Sequence, residues 1–462
     1  MVTTIIKGGF TLLIFGVVAY GIRYCWVSFP IAAGYGAKVL CSSVFVAGRK
    51  EADVKARELS FMPLNLVKYQ VNYQDSSVTA SILGMAVRKA IYRKGLGATL
   101  ISEWPEEKVK EQQFRLAAAP CETADSLPWP MGNRMVDTLP HFIDKKRLEA
   151  ALDNSFREKD TADPVYTRAV VVVHDGQLIA ERYAPGFTKD TRLTGWSMTK
   201  SITGALIGLL VKQNKLDIEA PAPVPEWQSE NDPRRAITVK QLLQQSSGLQ
   251  FEENYSKSTD ATIMLFQRAD MGAYAADHAL KDSPGTFFNY SSGNSNILSR
   301  IIRHAVGEEG YHAFPYEQLL YKLGMYSAMM EPDASGTFVG SSYCFATARD
   351  WARFGLLYLN DGMCNQERLL PEGWVKQSTT PAPAATEGQY GFQFWLNAGR
   401  PDDPTSRPFP SVPADMFYAS GFEGQDVFII PSKKLVVVRL GLTRSGDYGA
   451  DQFLKEIISS IH

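Results

Sequence analysis

The sequence predicts an α+β protein: an antiparallel β-sheet flanked by helices, with a helical lobe inserted between its first and last strands. Three observations carry this reading. A β-branched run at 168–174 (RAVVVVH) turns at Asp175-Gly176 and returns at 177–183, and Asp-Gly between two such runs is a hairpin signal. A second apolar pair, 426–430 and 435–442, lies near the C-terminus and leads into a helical pattern at 451–461. The stretch between the two hairpins reads mostly as helix and turn, an order that suits one sheet built from both ends of the region with a helix laid across it.

The chain has 462 residues, 45% of them hydrophobic and 21% charged, a globular composition. Its length suits one large domain with an appendage, or two domains. Forty-eight Lys and Arg face 49 Asp and Glu, a net charge of −1, so no basic excess exists to track a nucleic-acid backbone. Five cysteines with no CxxC pair make neither a disulfide scaffold nor a zinc ribbon. Three parts are expected: an N-terminal signal or transmembrane anchor at 1–29, an extension at 30–160 packing on the main domain, and a main domain at 161–462 that carries both hairpins.

In the first part, Lys7 precedes an uncharged run at 8–22 and Arg23 closes it. Fifteen residues are short for a span, but a snorkelling Arg23 extends it to about Phe29. An uncleaved anchor and a cleaved signal peptide both fit; a core helix fits less well, because core helices are seldom apolar on every face. Either favoured reading implies export, with the main domain periplasmic and the membrane as a partner. Such a compartment permits a Cys41–Cys121 disulfide. In the extension, 77–83, 88–92 and 98–101 read as short strands, 103–113 as a solvated helix, and 120–140 as a proline-rich linker. Asp144 offers an N-cap to a helix that sets Leu148, Leu152 and Phe156 on one face.

The chemistry begins at Gly195-Trp196-Ser197-Met198-Thr199-Lys200, which opens a long apolar helix ending near Asn214. Ser197 and Lys200 share one face of its first turn. A serine hydroxyl is inert near neutral pH until a base takes its proton, and a desolvated amine beside it has the lowered pKa to do so. The helix N-terminus adds N–H groups for an oxyanion. Two further segments have the right residue types. At 284–294, a Pro-Gly turn presents Tyr290 on a loop before a helix at 297–305; a phenol there can relay a proton. At 418–424, Tyr-Ala-Ser-Gly-Phe-Glu-Gly leads into the closing hairpin, where a strand edge can lend one N–H to an oxyanion and pair with an extended substrate.

Together these segments resemble the serine β-lactamase and penicillin-binding-protein fold, in the branch of class C β-lactamases and D,D-peptidases that also holds family VIII carboxylesterases and 6-aminohexanoate-dimer hydrolases. The resemblance covers roughly 160–460. Ser197-Met-Thr-Lys200 matches the S-x-x-K box, Tyr290-Ser-Ser292 occupies the Y-x-N box, and Ala419-Ser420-Gly421 occupies the K/H-T-G box. The stretches at 237–249 and 345–362 resemble two further landmarks of the family. The resemblance implies an acyl-enzyme on Ser197, with Lys200 and Tyr290 sharing the base work and Tyr290 protonating the leaving group. It implies an oxyanion hole from the N–H groups of Ser197 and Phe422, and substrate contacts at Ser292, Ala419, Ser420 and Gly421.

Two departures bear on substrate. The Y-x-N asparagine is Ser292, as the resemblance to nylon-oligomer hydrolases would have it, and the cation of the third box is Ala419. Losing a charge-assisted contact to a substrate carboxylate costs about 1.5–3 kcal/mol. This disfavours an efficient β-lactamase or D,D-peptidase and leaves a small-molecule ester or amide hydrolase as the expectation. The alternatives are β-lactamase or D,D-peptidase activity, or a low-turnover penicillin-binding or sensor module. No cofactor or metal is expected: the six histidines show no H-x-x-x-H spacing, and G-x-S-x-G is absent. Glu252-Glu253 and Glu308-Glu309 are read as solvated loop charges. The segment 250–283, with Tyr255, Met264, Phe266, Met271 and Tyr274, is read as a wall or lid of the cleft or as plain helical-lobe core.

Overall fold

The computed structural model describes residues 2–118, 126–135, 139–158, 160 and 163–462, with side chains of the first helix at 16, 17, 19 and from 21 on. Helix α1 (Val2–Phe45) runs unbroken through Pro30, so no structural boundary falls at residue 29. Its 21–45 portion is long and apolar enough to cross a membrane by length and composition. From Ala32 onward, however, this apolarity is largely spent inside the protein: Ala33, Ala37, Leu40 and Cys41 are fully buried. They pack on a four-stranded antiparallel sheet, β1 (Val67–Asn72), β2 (Ser77–Ile82), β3 (Met85–Arg93) and β4 (Gly97–Ile101), in sequential order. Three of these strands are the expected ones; β1, with Val67, Tyr69 and Val71 alternating with polar residues, completes the sheet at its edge. The expected helix at 103–113 is confined to Glu106–Lys110. Cys121 lies outside the described residues, and the Cys41 thiol donates to the Ala90 carbonyl at 3.6 Å.

A buried ion pair pins α1 to the C-terminal part of the chain. Lys38 bonds the carboxylate of Glu331, which also accepts from Ser42 Oγ at 3.0 Å and from the Ala98 N–H at 2.7 Å. Both charged groups are almost wholly buried. Removing one partner of such a pair leaves a bare buried charge, at a cost of about 3–5 kcal/mol. Lys38→Met is therefore expected to lower the unfolding free energy by about that much in a denaturant titration. A loss below about 1 kcal/mol would show that α1 docks without the pair.

Beyond the N-terminal sheet, α2 (Lys145–Ser155) starts at Asp144, whose carboxylate accepts from the Arg147 N–H. The opening hairpin is β5 (Ala169–His174) and β6 (Gln177–Tyr183). Then come the helical lobe, including α3 (Met198–Lys212), α4 (Asp260–Gln267), α5 (Ser292–Val306) and α6 (Ala348–Leu359), and the closing strands β7 (Trp395–Leu396), β8 (Phe417–Gly421), β9 (Gln425–Ile430) and β10 (Leu435–Leu440). Helix α7 (Ala450–Ser459) follows. The strands form one antiparallel sheet in the order β7-β8-β9-β10-β5-β6, with Leu440 opposite Ala169. Because strand side chains alternate, Val171, Val173, Val436 and Val438 face the core beneath α3 and α6, while Val170, Val172, Leu435 and Val437 face α2 and α7. The α+β architecture expected from the two hairpins is thus present, with two more strands, β7 and β8, added at the edge.

Candidate active site

Ser197 sits at the N-cap of α3, with Lys200 one turn on. The chain enters through Gly195 and Trp196. Trp196 holds a left-handed φ of +45°, a costly conformation for a non-glycine residue that persists only where packing enforces it. Here the indole lies edge-on to Phe422 and near-parallel to Tyr35. Gly195 cannot carry a side chain, since a Cβ would lie 2.2 Å from Trp351.

Lys200 is 1% exposed. Its Nζ donates to Ser197 Oγ at 2.9 Å, Ser292 Oγ at 3.0 Å and the Ser341 carbonyl at 3.1 Å. Burial pulls its pKa from the ordinary 10.5 down to about 8, against an opposing pull from the Glu253 carboxylate. The polarity of the network matters. The Ser341 carbonyl can only accept. Ser292 gives its proton to Glu253 Oε1 at 2.5 Å. When Lys200 is a neutral amine, Ser197 is the hydroxyl among these partners free to donate to its lone pair.

Ser292 is wholly buried. Its N–H also binds Glu253, at 2.8 Å, and its Oγ meets the Tyr255 hydroxyl at 3.1 Å. Glu253, expected to be a solvated loop charge, is instead the terminus of this relay and also accepts from Tyr255 at 2.6 Å. Nothing in an Glu-Glu loop pair announces this; it depends on a contact between segments 39 residues apart.

Tyr290 lies with its ring centroid 4.8 Å from Lys200 Nζ and its hydroxyl bonded to Ser197. It is half-buried against Trp395 and Tyr390. Burial raises its phenol pKa and the Ser197 bond only partly offsets this, so the phenol keeps its proton at neutral pH.

The end of β8 abuts the nucleophile turn: a Cβ on Gly421 would lie 2.1 Å from the Gly195 carbonyl oxygen. This contact brings Phe422 beside Trp196 and Ser197. Among the described residues, the backbone N–H groups of Ser197 and Phe422 have no protein acceptor, as an oxyanion hole requires. Ala419 is buried in the core. Ser420 pairs across the strands with Asp426, and its hydroxyl bonds that carboxyl, which Tyr448 also binds at 2.7 Å. Its side chain is thus on the sheet face away from α3. Of the expected site residues, the structure brings together Ser197, Lys200, Tyr290, Ser292, Gly421 and Phe422, and leaves Ala419 and Ser420 in supporting positions.

A cavity of about 360 Å³ opens onto Ser197. Tyr255 and Phe266 line it, as the wall reading of 250–283 expects, whereas Met264 and Met271 are core. Its opposite wall was not legible in the sequence: Tyr24, Ser28, Ile31, Ala32 and Tyr35 of α1.

The beta-lactamase family model matches residues 152–452. The chain belongs to the beta-lactamase family. A 6-aminohexanoate-dimer hydrolase of Paenarthrobacter ureafaciens is 25% identical over 299 residues, 59% of this chain and 72% of that protein. Among solved structures, a penicillin-binding protein homolog from Caulobacter crescentus superposes with a TM-score of 0.53 at 16% identity, over 70% of this chain and 99% of its own. A family VIII carboxylesterase gives a TM-score of 0.50 at 14% identity, over 71% and 98%. This beta-lactamase family member therefore shares its fold with hydrolases of amides and esters, and its N-terminal sheet and α1 lie outside the matched region.

The shifted Lys200 sets a pH dependence. With Lys200 as the base, which must be neutral to act, kcat/KM is expected to rise with pH, pass half its plateau near 8 and level off above about 9. Glu253→Gln keeps an acceptor for Ser292 but removes the charge that favours the ammonium form. The rising limb should then move to lower pH. An unmoved limb in a kcat/KM profile would show that Glu253 is electrostatically silent.

Proposed function

We propose that this protein is a serine hydrolase of small esters or amides that works through an acyl-enzyme on Ser197. The observation that carries this is the hydrogen-bond polarity around Lys200: a buried amine with a pKa near 8 whose lone pair has Ser197 as its available donor. In the first step Lys200 takes the Ser197 proton as Oγ attacks the substrate carbonyl. The oxyanion forms against the Ser197 and Phe422 N–H groups, which contribute about 3–4 kcal/mol to the barrier reduction. Tyr290, protonated at neutral pH, gives its proton to the leaving alcohol or amine as the C–O or C–N bond breaks, and is reprotonated from Lys200. Water then attacks the acyl-enzyme, giving its proton to the same pair, and Ser197 leaves with a proton as the acid departs.

The missing cation at Ala419 and the burial of Ser292 weigh against a carboxylate-bearing β-lactam or peptide substrate. The amide and ester chemistry named for the relatives points the same way. A low-turnover sensor module would not need Tyr290 held protonated beside the nucleophile. The α1 segment ahead of the domain supports an exported, membrane-anchored enzyme. The test is intact-mass spectrometry after exposure to a fluorophosphonate. One adduct on the wild type and none on Ser197→Ala is expected; absence of an adduct on folded wild-type protein would overturn the reading.

A further inference from the structure

The cavity at Ser197 is walled by an apolar face of α1 and lies where that helix leaves the domain. Tyr24, Ser28, Ile31, Ala32 and Tyr35 recur at helical spacing on this face. Phe61, Leu64 and Phe266 line the other sides, with the cations Lys257 and Arg444 also bordering the cavity. The wall is fixed in place: Ser28 Oγ meets Ser258 Oγ at 3.0 Å, Gln267 donates to the Val27 carbonyl at 3.3 Å, and Gly34 touches the Phe266 backbone so closely that a Cβ would sit 2.7 Å from its oxygen.

The direction of α1 shows where the cavity opens. Phe45 packs against Tyr73, beyond the far end of β1, while Gly36 packs against Tyr69. Continuing toward its N-terminus, α1 passes the end of the sheet where Val67 pairs with Ile82. Around that end Met62, Leu66, Leu83 and Met85 are all more than half exposed, and Phe61 is 37% exposed. On α1 itself Trp26 is 81% exposed. Large apolar side chains gathered like this on one rim mark a contact with an apolar phase or ligand, and an exposed tryptophan on an apolar helix suits the membrane–water boundary. The nucleophile therefore stands at the inner end of an apolar cavity whose outer end meets an apolar rim and the emerging helix.

We infer that the substrate is an amphiphile: an ester or amide of a medium- or long-chain fatty acid, whose aliphatic chain lies along α1 with its carbonyl carbon at Ser197. This rests on the serine-hydrolase reading above and adds the class of acyl group to it. The chain displaces water from apolar walls, each buried methylene favouring binding by roughly fourfold.

The test compares p-nitrophenyl acetate and p-nitrophenyl octanoate, below their micellar concentrations, on the full chain in CHAPS, a detergent without an alkyl tail to compete. The ratio of kcat/KM for octanoate over acetate is expected to exceed about tenfold in the wild type. It should fall by about tenfold or more in Ile31→Trp and in Ala32→Phe, which fill the cavity. Because it is a ratio, it is insensitive to the fraction of folded enzyme. A wild type that forms the Ser197 fluorophosphonate adduct yet prefers acetate, or variants with an unchanged ratio, would overturn the inference and leave the hydrolase reading standing. Failure of the adduct itself would overturn both.

Discussion

Lys200→Met is expected to lower kcat/KM by about 10²–10⁴-fold, the range a positioned general base contributes, and at the same time to raise stability at neutral pH. The first part follows from the network: methionine fills the space of the buried lysine but offers Ser197 no lone pair basic enough to take its proton. The second follows from linkage. In the unfolded chain the amine titrates near 10.5, and in the folded protein burial holds it near 8. A base whose folded pKa is depressed destabilises the native state, fully below the folded pKa, and the cost fades as pH rises from 8 to 10.5. The shift corresponds to at most about 3 kcal/mol. Thermal melts of Lys200→Met and wild type should therefore differ most at pH 7 and converge near pH 10.5. A variant that is inactive and less stable at pH 7 would mean that Lys200 is held chiefly by its three hydrogen bonds. A variant retaining more than about a tenth of the wild-type kcat/KM would remove Lys200 as the base.

Gly421→Ala is expected to lower kcat by about 10²–10³-fold, the effect of losing one oxyanion donor. The added methyl would lie 2.1 Å from the Gly195 carbonyl, so β8 must retreat from the nucleophile turn and take the Phe422 N–H with it. Overpacking of this kind also costs about 1–3 kcal/mol of stability. The two effects separate in a kinetic experiment on protein shown to be folded by circular dichroism. A substrate KM near the wild-type value with a depressed kcat is the expected signature, because the donor acts on charge that develops after binding. A kcat within about twofold of wild type would show that the second donor comes from elsewhere.

The parts of this protein legible in its sequence are those specified by nearby residues. Asp175-Gly176 fixes the opening hairpin through turn chemistry, and the apolar run after Lys200 fixes α3, whose residues 198–210 are all buried. Ser197 and Lys200 meet because three residues make nearly one helical turn. Ser292 and Glu253 show the limit. In the sequence, Ser292 stands where a substrate-binding amide would be, and Glu253 stands in a polar loop. Each acquires its place from the other, across a loop-to-helix contact that no local pattern encodes. The N-terminal helix shows the same limit on a larger scale. Its apolarity is equally compatible with lipid and with a protein interior; only the packing of Ala33, Ala37 and Leu40 on β2 to β4 assigns its second half to the latter. The direction of Ser420 has a simpler cause: alternation along β8 sends it to the Asp426 side of the sheet.

The sheet order has a consequence for how the enzyme comes into being. Strand β8 reaches the nucleophile turn only as part of β8-β9-β10, and β10 is anchored on β5, pairing residue 440 with residue 169. A growing chain acquires Ser197, Lys200 and Tyr290 long before residues 417–440 are made. During that interval, the helix that carries the nucleophile has no β8 beside it and the oxyanion is one donor short. Loop closure over so long a separation is slow, so the site assembles late and as a unit. On the proposed mechanism, the newborn polypeptide therefore lacks one of its two oxyanion donors until its last strands are in place.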